Sequence, residues 1–239
     1  MPNIWIILII VLSSLIKGVT GFGFALLSFP LLLFWYAPKE IIPVLMICNL
    51  IASIMIVLQR KDQKLLDKQS YLLIAAGGIC TIFGVIALCS VDAKLLVQLS
   101  GGLFIALTIY SIINKKKYRK ELRPYTYPAA GAFIGFLTGA ISVSGPPLSL
   151  FLNRAGVGNR KFREIFAAFS VVTAAIAIFG YYKAGLLTSQ VLQTSAVFTP
   201  ILLAGTIIGK RLNAKIPVKS FQTLNIALTL IASLLLIIR

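Results

Sequence analysis

The chain has 239 residues, of which 59% are hydrophobic and only 12% charged, and its formal net charge is +17. A soluble domain of this size carries roughly a quarter of its residues as charges, so a water-exposed globular fold is excluded. In a chain this apolar, Lys and Arg mark cytoplasmic loops rather than a nucleic-acid surface, and no nucleic-acid partner is expected.

The apolar residues gather in runs of about 18 to 20, enough for a helix to cross a hydrocarbon core of about 30 Å. The runs are continuous instead of alternating, which argues against a strand-built barrel. In chain order the first half reads as segments 3–16, 24–36, 40–58, 70–89 and 94–113. The first of these lacks a basic leader and a small-residue cleavage site, so it reads as mature structure and not as a secretory signal. Residues 114–123 (NKKKYRKELR) form the longest polar stretch. The second half then reads as 128–141, 145–153, 164–182, 189–208 and 219–238. The expected organisation is a first transmembrane repeat at 1–113, a basic cytoplasmic linker at 114–127 and a second repeat at 128–239.

The first two segments of each half are short. About 14 residues rise only about 21 Å as helix, less than the core thickness. The first segment breaks at Lys17-Gly18-Val19-Thr20-Gly21-Phe22-Gly23, and its counterpart at Ser142-Val143-Ser144-Gly145-Pro146-Pro147. Each pair is predicted to be a broken hairpin whose tip ends inside the membrane. If each hairpin leaves on the side it entered and every other segment crosses once, loops 59–69, 114–127, 154–163 and 209–219 share one side. Those loops hold 18 of the 23 basic residues. By the positive-inside rule that side is cytoplasmic and both termini lie outside; two full spans in place of each hairpin would give the same parity. The expected location is the cytoplasmic membrane, in contact with lipid.

The halves then enter the membrane from opposite sides, and the sequence carries traces of the repeat. Gly18 and Ser28 align with Gly139 and Ser149 at an offset of 121, and Glu40-Ile41 with Glu164-Ile165 at 124. Gly84, Lys94, Leu99 and Leu103 align with Gly209, Lys219, Leu224 and Leu228 at 125. The predicted fold class is an all-α polytopic membrane protein of two inverted-topology repeats, each a broken, re-entrant helical hairpin plus three transmembrane helices.

There is no His, and the six acids are Glu40, Asp62, Asp67, Asp92, Glu121 and Glu164. That removes His-based metal sites, Ser-His triads and paired-carboxylate chemistry inside the bilayer. Cys48, Cys80 and Cys89 lack metal-ligand spacing and read as small packing residues. Neither an enzyme nor a cofactor is expected.

Inverted repeats with helices broken at matching places are the plan of many secondary transporters, with substrate bound at the repeat interface. A broken helix leaves free N–H groups, and at a helix start these and the helix dipole favour an anion. In the first break Gly21 and Gly23 let the backbone approach a ligand, and Thr20 and Ser28 supply hydroxyls. Lys17 is a lone charge in a long apolar region, either a ligand for substrate or a boundary lysine whose head reaches water. In the second break Pro146 and Pro147 remove N–H donors, so Ser142, Ser144 and Ser149 must contribute more. The Ser144–Gly145 stretch contacts ligand or merely allows close packing. Mid-span Asn49, with Thr173 as its approximate counterpart, either pins a hairpin tip or faces substrate. Arg163 begins the span after the second hairpin. There it opposes the helix dipole, through a partner such as Glu164 or the substrate, or it serves only as a topogenic charge.

These motifs resemble the TauE/SafE sulfite exporter family of membrane transporters. The resemblance rests on Lys17-Gly-Val-Thr-Gly-Phe-Gly-Phe with Ser28-Phe-Pro30, on Asn49, and on Val143-Ser-Gly-Pro-Pro147 followed by Arg163, and it covers essentially the whole chain. Glycine-rich turns usual in the family stand here as Gly-Phe-Gly-Phe and Ser-Gly-Pro-Pro. The resemblance implies transport, often export, of a sulfur-containing anion such as sulfite, sulfoacetate or a related organosulfonate; the residues alone reach only a small anion. An anion channel and a non-transporting membrane scaffold are the competing expectations.

Overall fold

Several helix ends fall where glycine, proline or serine interrupts the apolar runs, as at Gly21, Gly23, Pro38, Ser142, Gly145 and Ser189. The computed structural model describes residues 4–58, 66–92 and 122–213, with five isolated helical positions (Leu95, Gln98, Gly102, Ala106 and Ile109) between the last two blocks. Segment 219–238 and most of segment 94–113 and of the basic linker lie outside the described residues. Among those described, every regular element is a helix: α1 (Ile4–Thr20), α2 (Phe24–Leu32), α3 (Pro38–Leu58), α4 (Lys68–Ser90), α5 (Thr126–Ile141), α6 (Gly145–Arg154), α7 (Asn159–Lys183) and α8 (Ser189–Asn213).

Four of these, α3, α4, α7 and α8, are long and apolar enough to cross a membrane. With nine and ten residues, α2 and α6 reach only about 15 Å, half of a hydrocarbon core. Large apolar side chains such as Trp5, Phe34, Ile79, Phe83, Phe133 and Phe179 stand exposed on the outer faces, the surface a lipid-embedded bundle presents. The chain is a multi-pass membrane protein.

Local chemistry sets the turns. Asp67 caps α4 by accepting from the Ser70 amide at 3.0 Å, meeting one of the unpaired N–H groups of the first turn. Pro146 and Pro147 fit the first turn of α6, where a missing N–H costs nothing. After α1, Gly21 turns left-handed at φ 84 and its amide donates to Lys17 O at 2.7 Å. After α5, Ser142 does the same at φ 57, donating to Thr138 O at 2.9 Å.

Several predicted boundaries move. The first helix does not end at residue 16; it runs through Lys17 and Gly18 to Thr20. Gly18 is no breaker because α8 packs against it, and a Cβ there would stand 2.8 Å from the Gly209 Cα. The seventh helix starts at Asn159 and not at 164, so its basic first turns extend the span beyond its apolar part. The second helix stops at Leu32, short of 36, and the eighth continues to Asn213.

In the bundle α1 lies along α8 and α5 lies along α4, while α3 and α7 pack on each other in the middle. The first helix of each half therefore rests on the fourth helix of the other. The contacts themselves recur. A Cβ on Gly18 would overlap the Thr206 carbonyl, and one on Gly139 the Thr81 carbonyl; a Cβ on Gly209 would overlap the Leu15 carbonyl, and one on Gly84 the Phe136 carbonyl. The second contact of each pair is the first one displaced by 121 residues on the first helix and 125 on the fourth.

The two ends of the bundle are tied separately. At the start of α4, Lys161 Nζ pairs with Asp67 Oδ2 at 2.7 Å, so the starts of α4 and α7 share one end. At the far end of α4, Lys39 Nζ donates to Cys89 O at 3.0 Å.

Candidate functional site

Lys17 sits one turn before the end of α1 and is 1% exposed, among the largest fully buried side chains. Its ammonium donates to Asn49 Oδ1 on α3. Among the described residues no carboxylate pairs with it. An ammonium has three donors and no acceptor, so Asn49 must turn its oxygen toward Lys17, which leaves the amide NH2 free to donate elsewhere. The boundary-lysine expectation is thereby corrected: a head group buried this completely does not reach water.

Beside Asn49, Cys48 is fully buried. Its Sγ lies 3.7 Å from Thr199 Oγ1 and 4.0 Å from Ser195 O, both on α8. Thr199 in turn donates to Ser195 O at 2.7 Å. The buried, free Cys48 fits the packing role expected of it, while Ser195 and Thr199 were not singled out from the sequence. Their spacing of four residues places both on one helix face, a signal that was there to read.

The two breaks meet. A Cβ on Gly145 would stand 2.9 Å from Phe22 Cδ2, so the start of α6 rests on the ring that ends the first break. That ring also lies 5.5 Å from Phe166 and 6.3 Å from Phe162 on α7, centroid to centroid. From the second break, the Ser142 hydroxyl reaches Met46 Sδ on α3 at 3.8 Å. The first break opens α2 at Gly23, left-handed at φ 99, and no side chain caps this helix. Its first-turn N–H groups thus have no intrahelical partner. The second break offers fewer donors, since Pro146 and Pro147 have none.

The remaining expected site residues divide. Gly21 and Gly23 both use the left-handed region that glycine tolerates, and the Cβ direction of Gly21 faces open space. Ser144 is 4% exposed and makes no capping bond with its side chain. Ser28 returns its hydroxyl to Phe24 O at 2.5 Å, and Ser149 gives its own to Pro146 O at 2.9 Å; both are spent on their own helix. Thr20 ends α1, and its side chain lies outside the described residues. Arg163 lies at the start of the candidate span Lys161–Lys183, but the helix itself begins at Asn159, so Arg163 is exposed in the second turn of α7, past the first turn in which a helix dipole acts most strongly. Glu164, next to it, is buried. Two more buried hydroxyls, Ser170 and Thr206, have no hydrogen-bond partner among the described residues.

No curated protein and no solved structure matches the chain. The family described as Sulfite exporter TauE/SafE matches it over residues 6–236. With the apolar spans, the two breaks and the buried Lys17 in place, that match covers nearly all of the bundle, and the chain belongs to the sulfite exporter TauE/SafE family.

Proposed function

We propose that this membrane transporter of the sulfite exporter type carries sulfite, or a related small sulfur-containing anion such as a sulfonate, out of the cytoplasm across the cytoplasmic membrane. One observation carries the reading: a fully buried ammonium whose described partner is a neutral amide. Burying a charge costs several kcal/mol even after relaxation, and a single hydrogen bond to a charged group returns about 1.5–3 kcal/mol. An anion seated against Lys17, with the Asn49 NH2 and the uncapped start of α2 as further donors, supplies the missing charge. Ser144 and Gly145 close on the same region from the second break through Phe22.

The halves are read as inverted repeats that rock about this site and expose it alternately. The recurring contacts of Gly18 and Gly139, and of Gly209 and Gly84, support that reading, as do the left-handed residues Gly21 and Ser142 at equivalent places. The basic loops are taken as cytoplasmic. A cell interior negative by 100 mV favours exit of a monoanion by about 2.3 kcal/mol, roughly a fiftyfold gradient, so export needs no coupling ion. The chain is read as a carrier and not an enzyme.

Purified protein reconstituted in liposomes tests this. Radiolabelled sulfite should leave loaded vesicles with saturable kinetics when the lumen is made negative, and Lys17→Ala and Ser144→Ala should each slow it at least tenfold. A flux that never saturates would indicate a static anion channel. Unchanged flux in both variants would remove the site assignment.

A further inference from the structure

We infer that Ser170, Gly21 and the first turn of α2 form a polar subsite that holds the oxygens of a compact oxyanion such as sulfite. The inference rests on the anion-carrier reading above and names a part of its site.

The two breaks share a left-handed turn residue after their first helix but differ in what lies between that turn and the third helix. At the second break Ser142 sends its hydroxyl to Met46 Sδ on α3, so a serine side chain and a thioether fill the space between break and helix. The offsets of 121 for the breaks and 124 for the third helices put Gly21 where Ser142 stands and Ser170 where Met46 stands. The backbone agrees, since both turn residues are left-handed and both amides donate to the carbonyl four residues back. At the first break, however, the serine side chain is replaced by nothing. Apart from its chain neighbours, nothing among the described residues lies within 4 Å of the Cβ position of Gly21, and the long thioether is replaced by a short hydroxymethyl group.

The contact of Phe22 with Phe166 at 5.5 Å places this break against α7. Ser170 lies four residues beyond Phe166, one turn along the same face. It is fully buried, and its hydroxyl has no partner among the described residues. Its own helix offers an easy one. Ser13, Ser28, Thr138, Thr173 and Ser195 all donate to the carbonyl four residues back, whereas Ser170 leaves the Phe166 carbonyl alone. A buried hydroxyl left unpaired is costly, and a hydroxyl turned off its own backbone is free to bind something else. The partner that suits it is anionic. The first-turn N–H groups of α2 are uncapped, the helix dipole is positive there, and Lys17 stands one turn before Gly21 on α1.

The space is that of a side chain shortened from methionine to serine, so it admits a compact oxyanion better than a substituted sulfonate. Filling it again should be structurally tolerable, because the other half carries a methionine at the equivalent place.

The test uses the full chain in liposomes, measuring saturable binding and efflux of radiolabelled sulfite together with thermal stability for Ser170→Ala, Ser170→Met and Lys17→Met. Ser170→Ala should weaken sulfite affinity about tenfold with Tm unchanged or raised, since no protein hydrogen bond is lost. Ser170→Met should abolish saturable sulfite flux while the protein still elutes as a folded species. If it fails to fold, the affinity of Ser170→Ala decides. Wild-type affinity in both Ser170 variants overturns the subsite, and loss of flux in Lys17→Met then leaves the Lys17 reading standing. Loss in the Ser170 variants with full flux in Lys17→Met does the reverse. Absence of saturable sulfite binding in the wild-type protein overturns both.

Discussion

Methionine at position 17 would keep the length and most of the volume of the lysine stem and remove only its ammonium. In the structure that ammonium is buried to 1% exposure and donates to Asn49 Oδ1. Its desolvation costs several kcal/mol, taken here as about 5. Against this, the substitution loses a hydrogen bond to a charged group, about 2 kcal/mol, and leaves the Asn49 oxygen unpaired, about 2 more. The balance is a protein about 1 kcal/mol more stable, or about 2–4 °C in Tm for a chain of this length. Lys17→Met with Asn49→Leu also removes the stranded amide, and should gain about 2 kcal/mol further. Both variants should lose saturable sulfite flux in liposomes. Thermal unfolding in mild detergent, followed by size-exclusion chromatography, reads the stability. Stability and activity moving in opposite directions is the mark of a residue retained for function. A fall in Tm of more than about 4 °C in Lys17→Met, not recovered by Asn49→Leu, would instead make Lys17 a structural strut and refute the reasoning.

Gly18→Ala and Gly139→Ala should destabilise the protein by similar amounts, about 1–3 kcal/mol each. Their Cβ atoms would stand 2.8 Å from the Gly209 Cα and 2.9 Å from the Val85 amide nitrogen, and neither backbone can rotate away. Gly102→Ala, on an exposed helical position facing open space, should gain about 0.5–1 kcal/mol by propensity, so parallel melting curves separate packing from helix preference. Burial by itself would raise the Asp67 carboxyl, but hydrogen bonds from Lys161 and Ser70 outweigh it and bring the pKa from 3.8 down to about 2. A depressed carboxylate contributes stability above its ordinary value and loses it as pH falls through the folded one. The Tm difference between wild type and Asp67→Asn should therefore be constant above about pH 4 and close between about pH 4 and pH 2. Half-exposed as the pair is, the difference corresponds to about 0.2–1 kcal/mol and should shrink in molar salt.

The four described spans and the two breaks were legible because membrane solvation is demanding: uncharged runs and clusters of Gly, Pro and Ser leave little choice. Boundaries were less so. Gly18 reads as a breaker in sequence, but the close approach of Gly209 makes it a packing residue, and no local pattern announces that. Lys17 stood out as a lone charge, whereas its bond to Asn49 spans 32 positions and could only be offered as one of two alternatives. Hydroxyls were the poorest guide. Ser28 and Ser149 bond their own backbones, while Ser170, whose sequence surroundings carry no motif, is the buried hydroxyl on α7 without a partner among the described residues. A serine in a helix has its own carbonyls always within reach, so its residue type does not tell which choice it makes.

The site chemistry is lopsided within a frame that repeats itself. At the places equivalent to Lys17 and Asn49 stand Thr138 and Thr173, and both return their hydroxyls to their own helices, to Ile134 O and Phe169 O. The second half thus offers a neutral, self-satisfied copy of what the first half offers charged. A frame with equivalent contacts in both halves suits two conformations of similar energy, the requirement for rocking without a fuel. Among the described residues Lys17 is the one buried ammonium, so under the proposed function a monoanion, once bound, makes the site neutral, while the empty site is cationic. Under the proposed mechanism the loaded step then moves no net charge through the membrane field. The return of the empty site carries a positive charge toward the negative interior, about 2.3 kcal/mol downhill per 100 mV if it crosses the whole field. Membrane voltage would therefore act on the resetting step, and net efflux of one negative charge per cycle follows without a coupling ion.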